Sequence, residues 1–189
     1  MPLPSFPESL IPGCRRAEPA AQEALYRHFE GRLLHVCLRY VASRVVAEDL
    51  VQETFIRVFQ RLGQFCGAGP LEAWVRRIGV NTCLDHCRAE ARGWREVDLE
   101  DVADDLTSDE ADAPARLAGE ELVAHIQRLP TIYRLVINLY CIEGYSHAEI
   151  GARLGIDEKT SSSQLARARR LLAEQLRRAH LIQSSYEIS

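Results

Sequence analysis

One stretch near the C-terminus, residues 146–176, constrains the chain more than any other: SHAEIGARLG, then ID, then EKTSSSQLARARRLLAEQL. Ser146 followed by Glu149 is a capping box, in which the serine oxygen accepts a first-turn N–H and the glutamate reaches back to the N-cap amide. A short helix follows, with Ile150 and Leu154 four apart and the small Gly151 and Ala152 between them. Gly155 falls where the chain has to turn sharply, a position that favours a residue free to adopt positive φ. Asp157 is a good N-cap for a second helix, and Glu158 sits in its first turn, where the macrodipole favours an anion. That helix is expected to bury Leu165, Ala168, Leu172 and Leu176, leaving Lys159, Thr160, Ser162, Ser163, Gln164, Arg167 and Arg170 on its other faces. Two helices joined by a tight glycine turn, the second basic and rich in hydroxyls at its exposed start, suit reading of a DNA major groove. The same residues also suit a plain helical hairpin with a solvated basic face, so the remainder of the chain has to decide.

Charge at first argues against DNA, because the 189-residue chain carries a formal net charge of -4. The charge is unevenly spread. Between Glu96 and Glu121 lie 11 of the 27 acidic residues and only one of the 23 basic ones, Arg116; elsewhere 22 basic residues face 16 acidic ones. The acidic tract masks a basic remainder. It is poor in aromatics and contains Pro114, as a linker would be.

Helical periodicity runs through the rest. Leu25, Phe29, Leu33, Val36 and residues 38–40 mark a helix over 18–40, and Val51, Phe55, Val58, Phe59 and Leu62 mark another over 47–62. In the second, Glu48, Asp49, Gln52, Glu53 and Arg57 lie largely off the apolar stripe. Two glycines and a proline make residues 65–70 a loop. A third long helix is expected over 71–92, with Trp74, Val75, Ile78 and Thr82 turned inward. Beyond the acidic tract, Leu122, Ile126 and Leu129 form one stripe, and Tyr133, Val136, Ile137 and Tyr140 the next, with Pro130 at a first helical position. Pro2, Pro4, Pro7 and Pro12 make residues 1–17 a poor helix and an expected mobile tail. No strand and no internal repeat is evident. The fold class expected is all-α: two small helical domains joined by an acidic flexible tether, the second holding the helix-turn-helix.

The six cysteines sit mostly in apolar helical patterns and lack the spacing of a secreted disulfide scaffold. Neither a signal peptide nor a run of about 20 apolar residues is present, so the expectation is a cytoplasmic protein with reduced thiols and no membrane insertion. Cys83, His86 and Cys87 raise a metal or redox alternative, since two thiols four apart share a helix face. A structural zinc site needs four ligands, however, and no second Cys/His pair at ligand spacing accompanies them. Small buried thiols are the simpler account. Ser, His and Asp are scattered, and there is no Gly-rich phosphate cradle, so no catalytic constellation stands out.

Four strings together, AEDLVQETFIRVFQRLGQF, LEAWVRRIGVNTCLDHCR, LPTIYRLVINLYCIEGYSHAEIGARLGI and the TSSSQLARAR run, resemble the extracytoplasmic-function sigma factors, small bacterial sigma-70-type initiation factors. The resemblance covers residues 18–178, with the motifs in the family's order around the acidic linker. It implies a region 2-like domain over 18–95, a linker over 96–116, a region 4-like domain over 117–180 and a C-terminal tail over 181–189. The implied partners are core RNA polymerase, through the largest-subunit coiled coil and the flap region, and promoter DNA, with room for an anti-sigma factor; no cofactor is implied. Asp49, Gln52, Glu53 and Arg57 would then face polymerase. The W-x-x-R-I-x-x-N pattern falls on Trp74, Arg77, Ile78 and Asn81, so Asn81 and the 65–70 loop, with Phe65, would engage the melted minus-ten element. An unstacked base offers its Watson–Crick edge to an amide, while Arg76, Arg77, Arg88, Arg92 and Arg95 suit phosphates. Trp74 is expected to be core.

Family positions that read the minus-35 element fall on Ser162, Ser163, Ala166 and Arg167, with Lys159, Thr160, Gln164 and Arg170 beside them. Three departures matter: Ser161 replaces a common valine, Ser162 a basic residue and Gln164 an arginine. They weaken guanine readout at position 162 and leave Arg167 the best bidentate candidate. The family's linker threads toward the polymerase active-site channel and RNA exit. A stand-alone helix-turn-helix regulator is the nearest alternative; it would bind duplex DNA stably without polymerase.

Overall fold

The computed structural model describes residues 6–90 and 119–186, with side chains up to residue 179 and excluding those of Gly119 and Glu120. Eight α-helices make up the described residues, and no strand occurs among them. The chain divides into two compact units, Met1–Cys87 and Arg88–Ser189.

In the first unit, α1 (Ile11–Arg15), α2 (Pro19–Tyr40), α3 (Arg44–Arg61) and α4 (Leu71–Glu90) enclose one core. Its period is the one expected: Leu25, Phe29, Leu33, Val36 and Tyr40 from α2 meet Leu50, Val51, Phe55 and Val58 from α3 and Val75, Ile78 and Leu84 from α4, all buried. Pro19 opens α2 at its first turn, where a missing N–H costs nothing, and the Ser43 hydroxyl accepts the Val46 N–H to cap α3. Two threonines are buried inside the helices; Thr54 donates its hydroxyl to the Leu50 carbonyl and Thr82 to that of Ile78. Gly79 lets α4 approach α2, since a Cβ there would stand 2.8 Å from Leu33 Cδ2.

The expected tail is not free from Phe6 onward. Phe6, Ile11 and Cys14 are buried, and a 3-10 turn over Glu8–Leu10 leads into α1. Prolines prevent a long helix there but not a short, packed one, and Pro12 sits at an N-terminal helical position where proline is tolerated.

The second unit contains α5 (Gly119–Gln127), α6 (Thr131–Ile137), α7 (His147–Leu154) and α8 (Glu158–Tyr186). Pro130 is the N-cap of α6, one position before the one expected, and its carbonyl accepts the Arg134 N–H. Arg134 is buried and ties α6 back to the end of α5 by donating to the Gln127 carbonyl at 3.0 Å. After α6 the backbone widens into a π-turn over Asn138–Ile142, closed by the Glu143 N–H on the Asn138 carbonyl. The wider turn changes which side chains face inward. Leu139 is buried, while Tyr140, expected on the inner stripe, is 37% exposed.

Helix α8 runs to Tyr186, into the segment expected to be a C-terminal tail. The acidic linker over 96–116 lies outside the described residues, as do Arg92 and Arg95. No helix among the described residues is long and apolar enough to cross a membrane.

Candidate nucleic-acid interface

The helix-turn-helix is built from local bonds the sequence announces. Ser146 Oγ accepts the Glu149 N–H at 3.3 Å, and Glu149 Oε2 accepts the Ser146 N–H at 2.9 Å. The Ser146 hydroxyl also donates to Glu149 Oε2 at 2.9 Å, and the two bonds to that carboxyl, first from the Ser146 backbone N–H and then from its hydroxyl, hold it below its ordinary value. Gly155 takes φ +71 at the turn, and Gly151 is required beside it: a Cβ there would stand 2.6 Å from the Ile156 carbonyl oxygen. Asp157 then accepts the Thr160 N–H at 2.6 Å and the Thr160 hydroxyl at 3.0 Å, which lowers its pKa and starts α8.

Along α8 the apolar side is Leu165, Ala168 and Leu176, all buried, with Leu172 half-buried. Lys159, Ser162, Ser163, Ala166 and Arg170 are exposed, and Thr160, Gln164 and Arg167 are half-buried. The Thr160 hydroxyl gives its proton to the Asp157 cap and keeps only acceptor capacity. Ser163 donates to the Thr160 carbonyl at 3.0 Å and keeps acceptor capacity outward. Ser163 and Arg167, four apart, share one face.

Ser161 has a structural reason that its sequence position hid. It is fully buried, and its Oγ lies 3.0 Å from His147 Nδ1, a polar link between α7 and α8 where a valine could make none. His147 in turn stacks on Tyr140, ring centroids 4.5 Å apart, and Arg153 covers the Tyr145 ring at 3.8 Å.

In the first unit the 65–70 loop and the start of α4 line an open cavity of about 300 Å³, walled by Phe65, Cys66, Gly69, Pro70, Trp74 and Arg77 among others. Phe65 packs against Trp74, ring centroids 5.4 Å apart and planes tilted by 50°. Trp74 is thus half-buried and forms a wall of the cavity, where a core position was expected. Arg77 reaches the cavity, whereas Asn81 stands half-buried one helical turn further along α4, outside its lining. Arg76 and Arg88 are exposed on the same helix. The structure therefore brings Phe65 and Arg77 together, and leaves Arg76, Asn81 and Arg88 along the helix that leads away.

On α3, Asp49, Gln52 and Glu53 are exposed. Gln52 donates to the Tyr26 hydroxyl at 2.9 Å, and Tyr26 packs on Phe55. Arg57 is only 25% exposed and bridges helices, with Asp85 at 2.7 Å and Glu53 at 2.9 Å. The hydrogen bond to Asp85 chiefly raises its pKa, against the opposing effect of burial. Arg57 thus braces α3 on α4. Sequence reading missed two neighbours: Val45 is 68% and Ile56 52% exposed. At 100° per residue, Val45, Asp49, Gln52 and Ile56 fall within about 60° of one another, an outward stripe with aliphatic ends and a polar middle.

Cys37, Cys83 and Cys87 are buried free thiols. Cys83 Sγ lies 3.6 Å from Cys37 Sγ, and that contact, with burial, pushes the Cys83 thiol up, away from the thiolate that a metal ligand or nucleophile requires. Among the described residues no group of three or more His, Cys, Asp or Glu is placed to hold a metal ion.

Described residues that are helical and strand-free, with a capped helix-turn-helix in one unit and an aromatic-walled cavity beside arginines in the other, suit a DNA-binding transcription protein. Comparison with known families narrows it. Sigma-70 region 2 matches residues 25–93, and sigma-70 region 4 matches residues 119–172. The extracytoplasmic-function (ECF) RNA polymerase sigma factor SigE of Mycolicibacterium smegmatis is 35% identical over 87% of this chain and 64% of its own length. The RNA polymerase sigma-H factor of Pseudomonas aeruginosa is 30% identical over 89% of this chain and 93% of its own. A solved structure of the sigma factor RpoE in complex with the anti-sigma factor NepR from Bartonella quintana aligns over 89% of this chain and 92% of that one, at 21% identity and TM-score 0.45. The chain belongs to the sigma-70 family of RNA polymerase sigma factors, in its ECF group.

Proposed function

We propose that this chain binds core RNA polymerase, directs it to promoters and helps melt them, with no catalysis of its own. The observation that carries the reading is the pairing, in one chain, of sigma-70 region 2 with sigma-70 region 4. Each has a surface suited to its part. The second unit offers the N-terminal half of α8 to duplex DNA, with Ser163 and Arg167 toward base edges and Lys159, Ser162, Gln164, Ala166 and Arg170 around them. The first offers the 65–70 cavity to an unstacked base of the minus-ten element. Phe65 and Trp74 supply apolar walls; Asn81, one turn further along α4 and outside the cavity, offers an amide to the strand beyond it, and Arg76, Arg77, Arg88 and Arg92 offer positive charge.

The α3 stripe is the docking face for polymerase: Asp49, Gln52 and Glu53 make polar contacts between Val45 and Ile56, and Arg57 holds the helix on α4. The acidic linker over 96–116 suits a channel built to receive RNA. Such work belongs in the cytoplasm. An anti-sigma factor is a natural further partner, as RpoE has in its complex with NepR.

Run-off transcription with purified core polymerase on a genomic promoter library tests the reading. Promoter-specific transcripts that require this protein support it. Failure to bind core polymerase would overturn it, and stable sequence-specific duplex binding by the protein alone would establish a stand-alone regulator instead.

A further inference from the structure

We propose that the segment from Phe6 to Ala17 brackets the 65–70 loop at both ends, and that Arg15 is a positioning residue for the base-binding cavity. The proposal rests on reading that cavity as the site of an unstacked promoter base. At the loop's near end, Arg15 Nε donates to the Leu62 carbonyl at 3.3 Å, and a terminal guanidinium nitrogen donates to the Phe65 carbonyl at 2.5 Å. These two carbonyls bound the 3-10 turn Leu62–Gln64, which the Phe65 N–H also closes on Leu62. One rigid, charged fork therefore holds both ends of the turn that delivers the Phe65 ring to the cavity wall, where it packs against Trp74. At the far end, the Phe6 N–H donates to Glu72 Oε1 at 3.1 Å, in the first turn of α4 just past Pro70.

Arg15 is itself held in place. Ile11 and Cys14 are buried, the Cys14 thiol donates to the Ala21 carbonyl at 3.1 Å, and the Glu18 N–H donates to the Gly13 carbonyl at 3.0 Å. Ala17 takes φ +57 to complete this tight exit, a conformation a side chain rarely adopts unless the surroundings enforce it. The guanidinium is exposed, so its loss opens no core. Its loss frees the turn, and with it one wall of the cavity.

The test uses holoenzyme assembled from core polymerase with wild type, Arg15→Met or Arg15→Lys, on promoters carrying each base in turn across the melted element. Wild type is expected to discriminate most strongly at the one position whose base enters the cavity. Arg15→Met should lower that discrimination about fivefold, the worth of roughly one hydrogen bond, while preferences elsewhere and core affinity stay put. Arg15→Lys keeps the charge and stem but not the fork, and should fall between. Unchanged discrimination in Arg15→Met overturns the proposal, and so does activity falling by one factor on every sequence, the mark of a merely structural role. Should wild type discriminate at no melted position, the cavity reading itself fails, and this one with it.

Discussion

The exposed aliphatic ends of the α3 stripe make a quantitative prediction. Fully burying a valine or isoleucine side chain is worth about 1.5–3 kcal/mol. Ile56 is 52% and Val45 68% exposed in the free protein, so half to two-thirds of that gain is unspent. Covering them with a partner would recover about 1 kcal/mol at Ile56 and a little more at Val45. The double variant Val45→Ala, Ile56→Ala should therefore weaken binding to core polymerase by about 2 kcal/mol, roughly thirtyfold. Its thermal stability should barely change, because exposed substitutions usually stay within about 0.5 kcal/mol and alanine is the better helix former. Fluorescence-anisotropy titration of labelled protein with core polymerase measures the affinity, and thermal melting controls for folding. Arg61→Ala, exposed on another side of α3, is the negative control. If the double variant binds core within twofold of wild type, the stripe is not the docking face.

Four further outcomes are expected. Gly151→Ala drives a Cβ toward the Ile156 carbonyl, where backbone has to move, so calorimetry should show the second unit destabilised by about 1–3 kcal/mol; an unchanged melting temperature would contradict the tight turn. Arg167→Ala should change which upstream sequences are selected, at about 1–3 kcal/mol for one base pair, whereas Arg170→Ala should weaken all sequences alike and flatten the salt dependence by about one phosphate contact; even loss in Arg167→Ala would refute the assignment. Asn81→Ala should leave core binding intact and slow open-complex formation, at about 1–3 kcal/mol, and unchanged permanganate reactivity of the melted segment would count against it. Each helix of the helix-turn-helix has a carboxylate in its N-terminal capping bonds, Glu149 for α7 and Asp157 for α8, held below ordinary values of 4.5 and 3.8, so their contribution is complete above those values and lost as pH falls through the depressed ones. Helicity measured from about pH 6 to about pH 2 should therefore fall in the lower part of that range, and an Asp157→Asn variant should show less of the loss.

What the sequence made legible was local. A capping box, a positive-φ glycine and an N-cap aspartate each act over three or four residues, so Ser146, Glu149, Gly155 and Asp157 could be placed without knowing what packs on them. The long helices of the first unit were equally plain, because α2, α3 and α4 each repeat the apolar period through several turns. Where the period is interrupted, the pattern misleads. The π-turn after Ile137 inserts a residue that no propensity marks, and it moved Tyr140 from the inner stripe to the surface. The Phe6 N–H bond to Glu72 and the reach of Arg15 to Leu62 span 66 and 47 positions in sequence, the Phe6 ring packs on His28 and Phe29 of the next long helix, and four prolines nearby argued for a tail.

The proposed docking stripe was hidden for a different reason. An apolar residue in a helix carries the same signal whether its own fold or a partner covers it. Val51, Phe55 and Val58 are buried by α3's neighbours, while Val45 and Ile56, of the same chemical type, are not. The distinguishing sign was available in the sequence: Val45 and Ile56 project with Asp49 and Gln52, at intervals of four, three and four, away from the main stripe. A helix whose polar face is bounded by aliphatic residues at helical spacing has two apolar regions, and a single-domain core can bury only one of them. Reading both periods, rather than the stronger alone, separates what folds the helix from what the helix is free to bind.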